Sequence, residues 1–192
     1  MNLEELRRKY LEIGFSLANA SAKICQDIIL NKISKSKMNK NVTIKGGVVM
    51  YGLSNDKRRA TRDLDLDAIN ESATLVINSK EQIVCEKLKS LLRFGIRTTR
   101  YKDIFDIYYL INKTDINKDD LLNIMNKLII EDTVMKENNI HDIIKNLNHT
   151  IKNNVFKQSL SDARNNWLDI SVDDVIDNVL DYFRFLESVQ IS

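Results

Sequence analysis

At 192 residues the chain is long enough for one domain, or for one compact core with a helical appendage, and can bury a core without a metal or disulfide to staple it. Hydrophobic residues make up 43% and charged residues 29%, which excludes a disordered or low-complexity polymer; no apolar run approaches eighteen residues, so neither a membrane span nor a secretory signal is expected, and the predicted location is cytoplasmic. The net charge of +2 conceals an alternation of charge blocks: thirteen Lys/Arg against five Asp/Glu over residues 1–62, one against six over 63–86, six against none over 87–102, and nine against sixteen over 103–192.

Helical spacing of Leu3, Leu6, Tyr10, Ile13 and Leu17, resumed by Ala18, Ala22, Cys25, Ile28 and Ile29, predicts one helix or two in tandem over 2–33. The polar stretch SKSKMNKN then predicts a loop. In VTIKGGVVM, residues 42–50, β-branched residues precede a glycine pair, which predicts a strand, a tight turn at Gly46-Gly47, and the start of a short helix or second strand. A basic loop from Ser54 to Arg62 leads into DLDLD, a period-two alternation. Leu75, Val76 and Ile77 read as a short strand. Ser79 with Gln82 three residues on is a capping pattern that opens a helix to about Arg93. Further helices are expected over Asp103 to Ile111 and over about 118–131, 140–153 and 171–189. The domain reading is a core with its N-terminal helix over 1–111 and a helical region over 112–192. Cys25 and Cys85 each lie in an apolar stretch and read as small core residues of a reducing compartment.

In a strand, alternate residues share a face, so Asp63, Asp65 and Asp67 would project together, about 6.8 Å apart, with Leu64 and Leu66 turned to the core. Carboxylates so arranged suit Mg²⁺, which uses one or two of them plus substrate phosphates; a charged solvent face explains the same pattern equally well. The glycine pair lets backbone N–H groups approach a phosphate, or is a turn without a ligand. Lys87 falls inside the apolar stripe of Ile83, Val84, Leu88, Leu91 and Leu92, so it must snorkel or meet an anion, whereas Lys89 and Arg93 lie off the seam and read as solvated. Asp103, at a helix start, shares a face with Ile107 and Leu110 and is able to orient Lys87 or a cation; Asp106, one turn later, is equally able to complement the helix dipole. His141 and His149 read as surface residues, without the neighbours a zinc site needs.

In this order Ile44-Lys45-Gly46-Gly47, Arg59-Ala60-Thr61-Arg62-Asp63-Leu64-Asp65, Glu86-Lys87-Leu88 and Arg100-Tyr101-Lys102-Asp103-Ile104-Phe105-Asp106-Ile107 resemble the motifs of the AbiEii/AbiGii (MenT-like) nucleotidyltransferase toxins, over about residues 41–111. The resemblance implies an α/β (α+β) fold: a minimal nucleotidyltransferase, DNA polymerase β-like core with a small mixed sheet, flanked by N- and C-terminal helices. It implies a toxin of a toxin–antitoxin, abortive-infection system in phage defence, with a cognate antitoxin, an NTP substrate and a tRNA or other RNA acceptor. By the same resemblance Gly46, Gly47, Arg59, Thr61 and Lys87 would bind the nucleotide, Asp63 and Asp65 would bind Mg²⁺, and Asp103 would support Lys87 or the reacting hydroxyl.

One interval departs from the family. Twenty-two positions separate Asp65 from Lys87, where the family has a much longer stretch with further core strands; the interval is either a natural shortening or an omitted segment. Two rival expectations therefore accompany the first: a catalytically silent nucleotide- or RNA-binding remnant, and a nucleotidyltransferase acting on a small molecule or a protein.

Overall fold

The computed structural model describes residues 2–68 and 76–190, which form two compact units, Met1–Asn78 and Ser79–Ser192. The first unit opens with two helices in tandem. In α1 (Leu3–Glu12) the Asn2 side chain accepts from the Glu5 N–H at 2.8 Å. Gly14, at φ +93°, turns the chain, and Ser16 caps α2 (Leu17–Ser34). Tyr10 donates its hydroxyl proton to Asp27, which also pairs with Lys23. The Tyr10 and Phe15 rings, and those of Phe15 and Tyr51, meet edge-on.

The buried face of α2 differs from the expected one. Ala20, Ile24, Gln26 and Ile33 are buried, whereas Cys25 is exposed and Ile28 and Ile29 are 38% and 43% exposed. A glutamine whose amide finds acceptors inside takes a core position that an apolar periodicity does not anticipate. The expectation of a buried Cys25 is thereby corrected, while Cys85 is fully buried as expected.

The predicted loop after α2 contains a short 3₁₀ turn, Lys37–Lys40, entered through Ser36. Strand β1 (Val42–Lys45) ends at Gly46, and α3 (Gly47–Ser54) starts at once, so the glycine pair is a strand-to-helix turn. A second 3₁₀ turn, Lys57–Arg59, precedes β2 (Asp65–Ala68), and β3 (Val76–Ile77) follows. The sheet order is β2-β1-β3, with β1 antiparallel to β2 and parallel to β3, a small mixed sheet. Thr43 faces Asp67 and Lys45 faces Asp65 across the β1–β2 pair. Two strand expectations are corrected. The strand begins at Asp65, so Asp63 and Leu64 precede it, and Leu66 is 37% exposed rather than turned into the core; β2 is an edge strand that among the described strands pairs with β1 alone. Leu75 lies outside the described residues.

The second unit is helical. The Ser79 hydroxyl accepts from the Gln82 N–H at 3.1 Å and caps α4 (Lys80–Phe94), as the capping pattern predicts; Gly95, at φ +53°, ends it. The helices that follow are α5 (Lys102–Lys113), α6 (Lys118–Met125) with a single π turn over Asn126–Ile130, α7 (Ile140–Ile151), α8 (Asn154–Leu160) and α9 (Val172–Gln190). The sequence reading has no counterpart for α8, where Asn153 stops one helix and caps the next by accepting from the Val155 and Phe156 N–H groups. Against α4 pack α5, α6 and α7, and α9 closes over α5 and α7. Ile104, Phe105, Ile107, Leu121, Leu147, Val179 and Phe183 are each 0% exposed and make the core between them. Lys89 is not simply solvated; its ammonium pairs with Asp132 at 2.5 Å. His141 and His149 are exposed as expected. Among the described residues no helix is long and apolar enough to cross a membrane.

Candidate functional site

In the first unit, Gly46 sits at φ +71°, ψ −145°, a region essentially reserved for glycine. A side chain there is also excluded by packing: a Cβ on Gly46 would lie 2.2 Å from Asp65 Oδ2, and one on Gly47 would lie 2.8 Å from Thr61 Cβ. The glycine pair thus lets Thr61 and the Asp65 carboxylate close onto the backbone where β1 becomes α3. Among the described residues no side chain caps α3, and the first N–H groups of a helix have no partner within the helix itself.

Asp63 lies in the turn that delivers Asp65. Its N–H donates to Thr61 Oγ1 at 3.3 Å, and the Gln26 amide donates at 3.0 Å to both the Thr61 and the Asp63 carbonyl oxygens. Among the described residues no hydrogen bond or ion pair engages the carboxylates of Asp63 and Asp65, whereas Asp67 is paired with Lys45 at 2.7 Å. Asp67 is therefore already committed. No cluster of three or more His, Cys, Asp or Glu stands ready for a metal among the described residues. Two uncommitted carboxylates beside a glycine turn suit a hard cation that completes its shell with water and phosphate oxygens, so the donor set fits Mg²⁺. Arg59 is buried, 8% exposed, and already engaged.

The second unit holds a different arrangement. Lys87 on α4 is buried, and its ammonium stands 2.7 Å from Asp103 Oδ1 and 2.7 Å from Asp106 Oδ2, both on α5. Asp106 is 0% exposed, and its other oxygen accepts from the indole N–H of Trp167 at 3.1 Å. Asp103 Oδ2 is buried with no hydrogen-bond partner. The lysine in the apolar seam thus has acidic partners: two aspartate side chains close on its amino group, and one of the four carboxyl oxygens, Asp103 Oδ2, is buried without a hydrogen bond among the described residues.

The structure thus brings together Gly46, Gly47, Thr61 and Asp65 with Asp63 in the first unit, and Lys87 with Asp103 in the second. Sequence reasoning left Asp106 undecided, although its spacing of three from Asp103 already put both on one helical face. Trp167 and Gln26 were not anticipated: a tryptophan in a loop and a glutamine in a helix carry no pattern that names their distant partners.

A family model described as nucleotidyl transferase AbiEii toxin, type IV TA system, matches residues 70–180. The matched stretch contains Lys87, Asp103, Asp106 and Trp167, and it begins beyond Gly46, Gly47, Arg59, Thr61, Asp63 and Asp65. No curated protein and no solved structure matches the chain significantly.

Proposed function

The chain belongs to the AbiEii family of nucleotidyl transferase toxins of type IV toxin–antitoxin systems, and from that premise we propose that it transfers a nucleotidyl group from an NTP to tRNA or another RNA, with Mg²⁺, under restraint by a cognate antitoxin. In this proposal the first unit carries the metal- and phosphate-binding part of a minimal, DNA polymerase β-like nucleotidyltransferase core. The observation that carries it is the Gly46 turn, whose missing side chain is replaced by the Asp65 carboxylate. Mg²⁺ held by Asp63 and Asp65 would supply charge neutralisation at the phosphate oxygens.

The chain's own groups do the rest. The uncapped N-terminus of α3 offers N–H donors and a positive dipole end to the triphosphate, and Thr61 lines the same turn. The acceptor hydroxyl attacks the α-phosphorus in line, pyrophosphate departs, and the hydroxyl proton must pass to a base. Asp103 is assigned to support Lys87, which its Oδ1 meets at 2.7 Å, or the reacting hydroxyl. Lys87 is assigned to phosphate, with Asp103 and Asp106 fixing its orientation.

A silent remnant is the second reading. It is favoured by a sheet whose three described strands hold four, four and two residues. Incubation of total tRNA with each α-³²P-labelled NTP and Mg²⁺, against an Asp65→Asn control, separates the two. Label in RNA that disappears in the control supports transfer; no label from any NTP with a folded protein favours the remnant or an acceptor other than RNA.

A further inference from the structure

We propose that Gln26 is a positioning residue for the acidic turn, setting the Asp63 and Asp65 carboxylates in place for metal and phosphate. The inference rests on the metal-site assignment made above for those two residues.

Gln26 is 4% exposed on α2, and both donations of its amide go to one short segment 35 and 37 residues away: the carbonyl oxygens of Thr61 and Asp63, each at 3.0 Å. An NH₂ group has two hydrogens, so this grip uses its full donor capacity. The two carbonyls bracket Arg62, which fixes the curvature of the backbone just before Asp65. The same segment is tied internally by the Asp63 N–H to Thr61 Oγ1, and it leans on the glycine turn through Thr61 against Gly47 and Asp65 against Gly46. The carboxylates themselves have no partner to orient them among the described residues. Their backbone does, and the side chain that holds it is Gln26.

An apolar side chain would fill the same core position on α2 but would make neither hydrogen bond to the turn. Two hydrogen bonds to the carbonyls flanking an uncommitted acidic turn set the direction of the carboxylates instead, as the outer partners of ligating residues do in metal sites, where their loss costs 10–100-fold in metal affinity or activity.

The test is isothermal titration with Mn²⁺–tripolyphosphate, a probe that carries the metal and the phosphates of any NTP without a base. Wild type, Asp65→Asn, Gln26→Met and Ile24→Ala are compared at a temperature where circular dichroism shows each folded. Gln26→Met keeps the length and removes both donors; Ile24→Ala loses core packing on the same helix and leaves both hydrogen bonds from Gln26 to the turn available. Expected are binding by wild type, loss in Asp65→Asn, weakening of about 10-fold or more in Gln26→Met, and near-wild-type affinity in Ile24→Ala. Affinity in Gln26→Met equal to wild type overturns the inference and leaves the metal site standing. Equal weakening in Ile24→Ala also overturns it, because stability would then explain both. No binding by wild type, or binding unchanged in Asp65→Asn, overturns the metal site and the inference with it.

Discussion

Replacing Lys87 by methionine tests the buried ion cluster directly. The substitution keeps the length of the side chain and its fit in the α4 seam, but removes a cation that stands 2.7 Å from each of two carboxylates. The side chains of Lys87 and Asp103 are 10% exposed and that of Asp106 is 0% exposed, so water does little to compensate the abandoned charges. Breaking a buried pair by removing one partner costs about 3–5 kcal/mol. In a chain of this size that corresponds to a fall of roughly 6–20 °C in melting temperature. The assay is urea unfolding followed by tryptophan fluorescence, since the single tryptophan, Trp167, lies in the second unit and donates to Asp106 itself. The double variant Lys87→Met, Asp106→Asn removes one abandoned charge and should recover part of the loss, which a double-mutant cycle reads out. A Lys87→Met protein within about 1 kcal/mol of wild type, with an unchanged m-value, would refute the reasoning, because so small a loss belongs to a solvated surface pair.

Gly46→Ala should cost about 1–3 kcal/mol from backbone strain and abolish Mn²⁺–tripolyphosphate binding by displacing Asp65, whereas Gly52→Ala, inside α3 with nothing within 4 Å of a new Cβ, should stabilise by about 0.5–1 kcal/mol; denaturant midpoints and titration check both. Asp63→Asn and Asp65→Asn should abolish nucleotide transfer with melting temperatures equal to or above wild type, since each removes a like charge and no described ion pair; a large loss of stability would count against the metal role. Burial opposes ionisation of Glu81, but the Asn117 N–H at 2.9 Å, the residue's own N–H, the Ser79 hydroxyl and Lys80 prevail and lower its pKa below 4.5. A lowered carboxylate pKa stabilises the fold above the unfolded-state value and loses that contribution as pH falls through the folded one, so Glu81→Gln should flatten the stability–pH curve below about pH 4.5 in acid unfolding. Burial, helped by Glu81 and Glu86, pushes the Cys85 thiol up to about 12, while Cys25 is exposed; native protein should therefore react with one equivalent of a disulfide reagent quickly and a second only on unfolding, and two fast equivalents would contradict the packing of α4.

Legibility followed the range of the interactions. The cap at Ser79 and the turn at Gly46-Gly47 after a strand are set by residues within a few positions of one another, so they could be read from order and spacing. The inward lysine was legible because a charge in an apolar stripe is a local anomaly; that it takes two aspartates, one of them bound to Trp167, required α4, α5 and the loop before α9 to be packed together. The exposed Cys25 and the buried Gln26 show the same limit from the other side. Apolar periodicity ranks residues by their own chemistry, whereas burial is granted by partners, and the carbonyls of Thr61 and Asp63 made a polar side chain the better core residue. The alternation DLDLD predicted Asp63, Asp65 and Asp67 on one strand face; tertiary structure decided that the strand starts at Asp65 and leaves Asp63 before it, that Lys45 removes Asp67 from service, and that glycine at 46 makes room for the Asp65 carboxylate. Local conformational preference and covalent order thus determined the elements and the chemistry they carry. Which of those groups became partners was decided by packing, since hydrogen bonds and ion pairs between residues tens of positions apart exist only once the chain has folded.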